Sequence, residues 1–332
     1  MKNPIVATSV ALLSLILPFK ATAASFSGLY VFGDSLSDSG NVHHTTGFPP
    51  FPYIDGHFSN GLNWIDYLAQ DLHLEPTLFS ALNYSSSSTP SINFAFGGAT
   101  TGQDNTIYQG LLSVQEQIAA FQTLIPPDQW VDPNALYILW AGANDYLPTQ
   151  SPEFVPFTTP ETTLANITGV VNTLAQLGAK TIMVVNLPDL GNLPLVQNTP
   201  IAADLNMLTT EHNRGLQTLS QTVSADINLI GLDVNTLFHE ARAGSFGFSD
   251  VEVPCFNPMT ETVCANPNEH LFWDAIHVTT AAHRQIATLA VDTLNAEDVA
   301  NVPEPASVWG LLLLGVLGMG VRKSHSGNRI LN

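Results

Sequence analysis

The sequence predicts an α/β fold in which a parallel sheet is covered by helices on both faces. Strand-like apolar runs alternate with segments of helical periodicity along most of the chain, and the strand-like runs are apolar at nearly every position. Such strands are buried on both faces, as in parallel sheets with crossover helices. Ligand chemistry is then expected at the carboxyl ends of the strands.

Runs of β-branched and aromatic residues predict the strands, and apolar residues at helical spacing predict the helices. The predicted strands are, in order, 28–32, 92–96, 136–140, 181–185 and 227–232. The predicted helices are, in order, 60–72, 111–124, 161–177, 202–223 and 280–294.

Composition limits the function. The chain has 332 residues, 45% of them apolar, which is enough for a large core and excludes disorder throughout. Its 28 acidic and 9 basic residues give a formal net charge of −19, and only four of the basic residues lie between positions 24 and 305. That body, at −24, has no basic surface for phosphate backbones. We therefore expect no nucleic-acid partner.

The first 24 residues have the features of an export signal. Lys2 precedes an apolar run, 10–17. Ala21-Thr-Ala23 then has the small-x-small pattern that a signal peptidase recognises. A buried N-terminal helix is the alternative, but Pro18 would end it where the apolar run ends. We expect residues 1–24 to be a signal peptide.

The last 32 residues have a different sorting pattern. Val302-Pro-Glu-Pro305 precedes an apolar run of 16 residues, 306–321, which is followed by Arg322 and Lys323. This segment resembles the PEP-CTERM sorting signal of Gram-negative bacteria. The resemblance implies transient membrane insertion through this helix, processing by an exosortase-type enzyme, and delivery to the cell surface or extracellular matrix. An ordinary C-terminal anchor or a core helix is the alternative for 301–332.

The only two cysteines are Cys255 and Cys264, which close a short loop. In an exported chain such a pair indicates a disulfide. A zinc site would need more ligands, of which His270 is the nearest candidate, and the usual metal-ligand spacings do not occur. We therefore predict a disulfide and no metal site.

Polar, glycine-containing segments follow three of the predicted strands, at 33–41, 97–100 and 141–145. No Gly-x-Gly-x-x-Gly follows a strand and no phosphate-binding Gly-x-x-x-x-Gly-Lys occurs, so a nucleotide cofactor has no support. Residues 85–88 and 148–160 are predicted to be surface loops. Residues 25–300 are therefore predicted to form one domain.

These segments supply what acyl transfer from an ester requires: a nucleophile, a base, an orienting acid and donors for the oxyanion. Ser35 can attack, His277 can take its proton, and Asp274 can orient the imidazole and stabilise its charged form. The Asn144 amide can donate to the oxyanion. So can the backbone N–H groups of Ser35 and Gly98, since a glycine allows close approach to substrate.

The sequence resembles the GDSL, or SGNH, family of serine esterases and lipases in four segments. These are Gly33-Asp-Ser-Leu36, Asn93-Phe-Ala-Phe-Gly-Gly-Ala99, Gly142-Ala-Asn-Asp145 and Asp274-Ala-Ile-His277. The resemblance implies a flavodoxin-like three-layer α/β/α sandwich without cofactor or metal. It also implies that Ser35 is the nucleophile, that Ser35, Gly98 and Asn144 form the oxyanion hole, and that Asp274 and His277 are acid and base.

Further assignments accompany this resemblance. Asp34, Asp38 and Gly97 are expected to support the loops of the site, and Asp38 competes with Asp274 as the carboxylate near the serine. The chain departs from the family pattern at Val278, where proline is usual, and at His57, where arginine is frequent.

Each segment also has a simpler explanation. Ser35 alone could cap a helix, Asn144 could begin an Asx-turn, and His277 could precede a helix. These alternatives do not explain why three of the segments fall at predicted strand ends and why all four stand in one family-like order. The remaining helical histidines are expected to be surface or cap residues: His212, His239 and His283.

The leading hypothesis is an exported serine esterase or lipase that hydrolyses lipid, phospholipid or acetylated-sugar esters through an acyl-enzyme on Ser35. Its partners would be the ester substrate and an exosortase-type enzyme, with membrane contact only through the C-terminal helix. Two alternatives stay open: a catalytically idle surface or matrix binding protein on the same fold, and an acyltransferase that uses the same residues.

Overall fold

The computed structural model of the chain describes residues 25–83, 91–149, 151–219, 223–224 and 226–301. The predicted signal peptide, the loop 85–88 and the predicted sorting segment beyond residue 301 lie outside the described residues. Residues Ala24–Ala296 form one compact unit. Within the ranges described, no helix combines the length and the apolar character that a membrane crossing requires.

A six-stranded parallel sheet lies at the centre of this unit. Its strands are β1 (Leu29–Gly33), β2 (Thr77–Leu78), β3 (Ile92–Asn93), β4 (Leu136–Trp140), β5 (Thr181–Val185) and β6 (Asn228–Leu232). Their order is β2-β3-β1-β4-β5-β6, with every neighbouring pair parallel. Without the edge strand β2, this is the flavodoxin-like order, whose switch point lies between β1 and β4.

The helices range from 4 residues in α4 to 22 residues in α8. They are α1 (Asn41–Thr46), α2 (Trp64–Asp71), α3 (Val114–Thr123), α4 (Ala143–Tyr146), α5 (Glu161–Leu177), α6 (Ala202–Leu219), α7 (Val234–Arg242) and α8 (Thr280–Asn301). A separate antiparallel pair, β7 (Phe256–Asn257) and β8 (Thr262–Val263), lies in the disulfide loop.

Two cores, one on each face of the sheet, make the fold a three-layer α/β/α sandwich. All five residues of β4 are buried. Leu136, Ile138 and Trp140 pack with residues of α2, α7 and α8, whereas Tyr137 and Leu139 pack on the other face with residues of α3 and α5. Because successive strand residues point to opposite faces, an all-apolar strand is buried on both sides. The predicted fold class is confirmed.

Local capping explains where the elements differ from the predicted bounds. Helix α2 begins at Trp64 rather than at residue 60, because Asn63 caps it in a capping box with Asp66. Strand β3 ends at Asn93, whose side-chain oxygen accepts the Ala95 N–H in place of a ladder partner. The sequence prediction also missed the edge strand β2 and the helices α1, α4 and α7.

Candidate active site

The loops that follow β1, β3 and β4 meet at the switch point of the sheet. The turn after β1 carries Ser35, the loop after β3 carries Gly97 and Gly98, and α4 after β4 carries Asn144. A fourth segment, just before α8, brings His277 to Ser35 across 242 positions of sequence. The structure therefore brings the predicted segments together at one edge of the sheet.

Ser35, His277 and Asp274 form a continuous hydrogen-bonded chain. The Ser35 hydroxyl lies 2.8 Å from Nε2 of His277, and Nδ1 of the same ring lies 2.8 Å from Oδ2 of Asp274. The serine is 9% exposed. Ser35 does not cap a helix, since α1 begins only at Asn41. This is the geometry in which a base can take a hydroxyl proton while a carboxylate holds the ring.

The Asp274 carboxylate is buried, and both of its oxygens accept hydrogen bonds. Oδ1 accepts the backbone N–H groups of Ile276 and His277, at 2.8 and 2.7 Å. Oδ2 accepts the Tyr53 hydroxyl at 2.7 Å in addition to the His277 ring. Burial alone would raise the pKa of Asp274, but the charge and hydrogen bonds of His277 and the Tyr53 hydroxyl hold this pKa below its ordinary value. Asp274 therefore stays ionised.

Three N–H groups on the loops that follow β1, β3 and β4 are candidates to bind an oxyanion. Within the described residues, the backbone N–H groups of Ser35 and Gly98 donate to no protein acceptor. Gly98 has a φ of +78°, and a Cβ there would lie 2.6 Å from Cγ1 of Ile107. Only glycine fits this position without strain. The Asn144 amide donates one N–H to the Ala99 carbonyl at 3.1 Å, which leaves its second N–H for a ligand.

Asp145 fixes the loop that carries Asn144. Its carboxylate is buried and accepts the backbone N–H of Thr101 at 2.8 Å and the hydroxyls of Thr101 and Thr163. Burial raises the pKa of Asp145, and the hydrogen bonds from the two threonines oppose this. Asp145 thus ties the end of β4 to the loop after β3 and to α5.

Asp38 does not compete with Asp274 for the histidine. Its buried carboxylate accepts the backbone N–H groups of Gly40, Asn41, Val42 and Gly97. Burial raises its pKa to about 6, although these four hydrogen bonds lower it. Asp38 therefore links the turn after β1 to the loop after β3.

Asp34 is a buried carboxylate that directly precedes Ser35 in the sequence. Its Oδ1 accepts the Leu36 N–H at 3.1 Å. Burial raises its pKa to about 7, and the Leu36 N–H and the charge of His277 lower it only in part. Since a single described hydrogen bond faces this carboxyl group, much of its desolvation is uncompensated.

Three residues that lie against residues of the site were not predicted from the sequence: Tyr53, Phe58 and Ile107. The Phe58 ring lies 5.1 Å from the His277 ring and packs over Gly97, which has no Cβ to obstruct it. Spacing gives no signal for the contacts of Tyr53 and Phe58, because they join loops far apart in sequence, whereas Ile107 packs near Gly98 within one long loop.

His57, where the family often has arginine, directly precedes Phe58 and forms a hydrogen-bond contact at each ring nitrogen. Nδ1 of His57 lies 2.9 Å from the Ile54 carbonyl and Nε2 lies 2.7 Å from Oδ2 of Asp66. Burial lowers the pKa of His57, but the hydrogen bond and charge of Asp66 outweigh burial and raise it overall. With an acceptor at each ring nitrogen, the protonated form is the one that satisfies both contacts.

The expectation that all three helical histidines lie at the surface or at caps is wrong for two of them. His212 and His283 are buried, whereas the His239 side chain is 58% exposed. Burial lowers the pKa of His212 to about 4, and burial with the charges of His57 and His277 lowers that of His283 to about 3. Both rings are therefore neutral parts of the core.

Cys255 and Cys264 form the predicted disulfide. The candidate ligand His270 instead lies 2.9 Å from the Val253 carbonyl through Nδ1. No cluster of His, Cys, Asp and Glu suited to a metal ion occurs within the residues described.

Comparison with known families gives two matches. A sequence model of the family described as "GDSL-like Lipase/Acylhydrolase" matches residues 29–290. A model of the PEP-CTERM protein-sorting motif matches residues 301–324. The two matches agree with the predicted family and with the predicted sorting signal.

Two curated proteins illustrate the relationship. GDSL esterase/lipase 6 of Arabidopsis thaliana is 27% identical over 322 residues, covering 82% of this chain and 89% of that protein. The phosphatidylcholine-sterol acyltransferase of Aeromonas hydrophila is 25% identical over 327 residues, covering 82% of this chain and 91% of that protein. Among solved structures, the M. smegmatis aryl esterase aligns with a TM-score of 0.45 at 18% identity, covering 81% of this chain and 99% of that chain.

Proposed function

The chain belongs to the GDSL-like lipase/acylhydrolase family, and we propose that it is an exported carboxylic ester hydrolase that works through an acyl-enzyme on Ser35. The observation that carries the proposal is the chain of two 2.8 Å contacts from Ser35 through His277 to Asp274, at the switch point of the sheet. In this proposal residues 25–300 are the hydrolase domain, between a signal peptide and a sorting segment.

The first half-reaction forms the acyl-enzyme. Oγ of Ser35 attacks the ester carbonyl carbon while Nε2 of His277 takes the hydroxyl proton. The carbonyl oxygen becomes an oxyanion that accepts the N–H groups of Ser35 and Gly98 and the Asn144 amide. Collapse of this intermediate breaks the ester C–O bond, and the imidazolium returns its proton to the leaving alcohol. Asp274 stays ionised and stabilises the imidazolium.

The second half-reaction releases the acid. The oxygen of a water molecule attacks the acyl carbon while Nε2 of His277 takes a proton from that water. The same N–H donors bind the second oxyanion. The Ser35–acyl bond then breaks, and the proton moves to Oγ of Ser35. No metal or organic cofactor enters either step.

The PEP-CTERM motif indicates export in a Gram-negative bacterium and recognition by an exosortase-type enzyme. We propose the cell surface or extracellular matrix as the destination, with transient anchoring through the C-terminal helix. The body charge of −24 suits a solvated surface outside the cell. Lipids, phospholipids and acetylated polysaccharides are the substrate classes that this location makes accessible.

A chromogenic short-chain ester tests the proposal. The full chain should turn it over, and Ser35→Ala should abolish turnover because the nucleophile is gone. Ser27→Ala is a matched control, since Ser27 bonds Asp132 near the amino end of β1, away from the site. Equal rates for the wild type and Ser35→Ala would refute the assignment and favour an idle binding protein on this fold.

Acyl transfer to an alcohol is a second candidate, favoured by the similarity to the Aeromonas hydrophila acyltransferase. An alcohol would replace water in the second half-reaction and use the same residues. Adding acceptor alcohols to the ester assay separates the two activities: a new ester as the main product would establish transfer, and free acid alone would establish hydrolysis.

A further inference from the structure

The carboxylate of Asp274 receives a hydrogen bond from outside the four family segments. Tyr53 lies in the loop between α1 and α2, and its hydroxyl donates to Oδ2 at 2.7 Å across 221 positions of sequence. Oδ2 is also the atom that faces Nδ1 of His277. One carboxylate oxygen therefore serves the tyrosine and the histidine together.

Aromatic packing holds this phenol in place. Tyr53 packs edge-on against Phe256 and Trp273, with ring centroids 5.6 and 6.2 Å away, and these two rings stack on each other at 5.5 Å. We call these three residues the aromatic box. Trp273 directly precedes Asp274, and Phe256 directly follows Cys255 of the disulfide.

The disulfide loop is hydrogen-bonded to the segment that ends in Asp274. The backbone N–H groups of Cys255 and Phe256 donate to the carbonyls of Phe272 and Trp273, at 3.0 and 2.6 Å. Both Phe256 and Trp273 are buried. The disulfide loop thus contributes Phe256 to the aromatic box. Its hydrogen bonds also hold the segment that carries Asp274.

The Tyr53 hydroxyl acts as a donor throughout the accessible pH range. Burial and the adjacent Asp274 charge raise its pKa above the ordinary value for tyrosine. Asp274 in turn stays ionised and can only accept. The pair therefore has a fixed donor and a fixed acceptor.

We propose that Tyr53 is a positioning residue of the triad, which fixes Oδ2 of Asp274 and withdraws part of the negative charge that His277 faces. The inference rests on the proposed function, because it assigns His277 as the base. Without this hydroxyl, Oδ2 would be less restrained and would interact more strongly with the imidazolium. His277 would then be less well placed and would bind its proton more tightly.

The test compares Tyr53→Phe with Tyr67→Phe in the full chain. Tyr67 is a matched control, since its half-buried hydroxyl bonds Oγ1 of Thr280 at 2.8 Å and does not contact the triad. For Tyr53→Phe we expect kcat/KM to fall roughly tenfold, as for loss of a hydrogen bond to a charged group, and the acid limb of its pH profile to move to higher pH. Tyr67→Phe should keep the wild-type profile.

The neighbouring charges make the pH shift diagnostic. The charges of Asp34 and His283 interact with that of His277, and both variants retain these two groups. A wild-type profile in Tyr53→Phe would overturn the inference. So would a loss of activity with an unmoved acid limb, since that result indicates only a structural role.

A second measurement is independent of turnover. In ¹⁵N-histidine-labelled protein, the Nδ1–H proton of His277 should resonate at lower field in Tyr53→Phe, because the competing donor is gone, and should not move in Tyr67→Phe. An unmoved resonance in Tyr53→Phe would overturn the inference. If the wild type turns over no ester, the proposed function fails, and the resonance still decides the role of Tyr53.

Discussion

Asp34 should make the folded protein less stable as pH rises from about 4 to about 7. Burial raises its pKa from 3.8 to about 7 in the folded state, so the folded protein holds a proton that the unfolded chain has lost. A carboxyl group with a raised pKa contributes stability below its unfolded pKa, and this contribution is lost as pH passes through the folded value. The difference of about three units corresponds to at most about 4 kcal/mol.

The substitution Asp34→Asn isolates this contribution, because asparagine keeps an oxygen that can accept the Leu36 N–H and carries no charge. We expect the free energy of unfolding of Asp34→Asn minus that of the wild type to grow from pH 4 to pH 7 and then level off. Urea unfolding followed by tryptophan fluorescence at several pH values measures this difference.

Asp292→Asn provides the control, since it removes an equal charge from an exposed position on α8. Its difference from the wild type should stay nearly constant over the same pH range. A flat difference for Asp34→Asn, or one that decreases with pH, would contradict the reasoning. It would show that burial does not raise the pKa of Asp34 in the folded protein.

Three other variants test the loops around the site. Asn144→Ala should lower kcat roughly 10²–10³-fold with little change in the unfolding midpoint, because it removes one oxyanion donor and one 3.1 Å hydrogen bond; undiminished steady-state turnover would remove Asn144 from the oxyanion hole. Gly98→Ala should lower the thermal unfolding midpoint, since a φ of +78° disfavours alanine by about 1–2 kcal/mol and the new Cβ crowds Ile107; a midpoint equal to the wild type would contradict this. Replacing Cys255 and Cys264 by serine should cost roughly 2–3 kcal/mol in urea unfolding, because a bond across nine positions is lost; a reductant should then have no further effect on the variant.

The sequence was informative where a function depends on residue type and order. Ser35 and Asn144 stand in short segments that follow strands, so the parallel sheet alone predicts that they lie at the same edge. His277 precedes a helix, and only the family resemblance predicted that it lies beside Ser35. The all-apolar strand β4 likewise indicated burial on both faces. These features depend on local pattern and on the topology of α/β folds.

Other features depend on packing between distant loops. Nothing near Tyr53 indicates that its hydroxyl reaches Asp274, and nothing near Phe58 places its ring beside His277. Aromatic residues in loops serve many roles, and only the folded positions of the loops select among them. The aromatic box therefore became visible only in the structure.

The burial of His212 could have been predicted from its position on the helix. His212 follows Leu205, Leu208 and Thr209 at helical spacing, and all three of these residues are buried. Position on the helix face outweighed the polar character of the side chain. Helix α7 could also have been predicted, because it has an Asp233 cap and four buried apolar residues at helical spacing.

The most direct test of the account is whether Ser35 is an activated nucleophile. The folded full chain should react with a fluorophosphonate, and mass spectrometry of the digest should place the adduct on Oγ of Ser35. Ser35→Ala should give no adduct at this peptide, and His277→Ala should label far more slowly because the base is missing. An unlabelled Ser35 in the folded wild type, or an equal labelling rate in His277→Ala, would contradict the proposed acyl-enzyme mechanism.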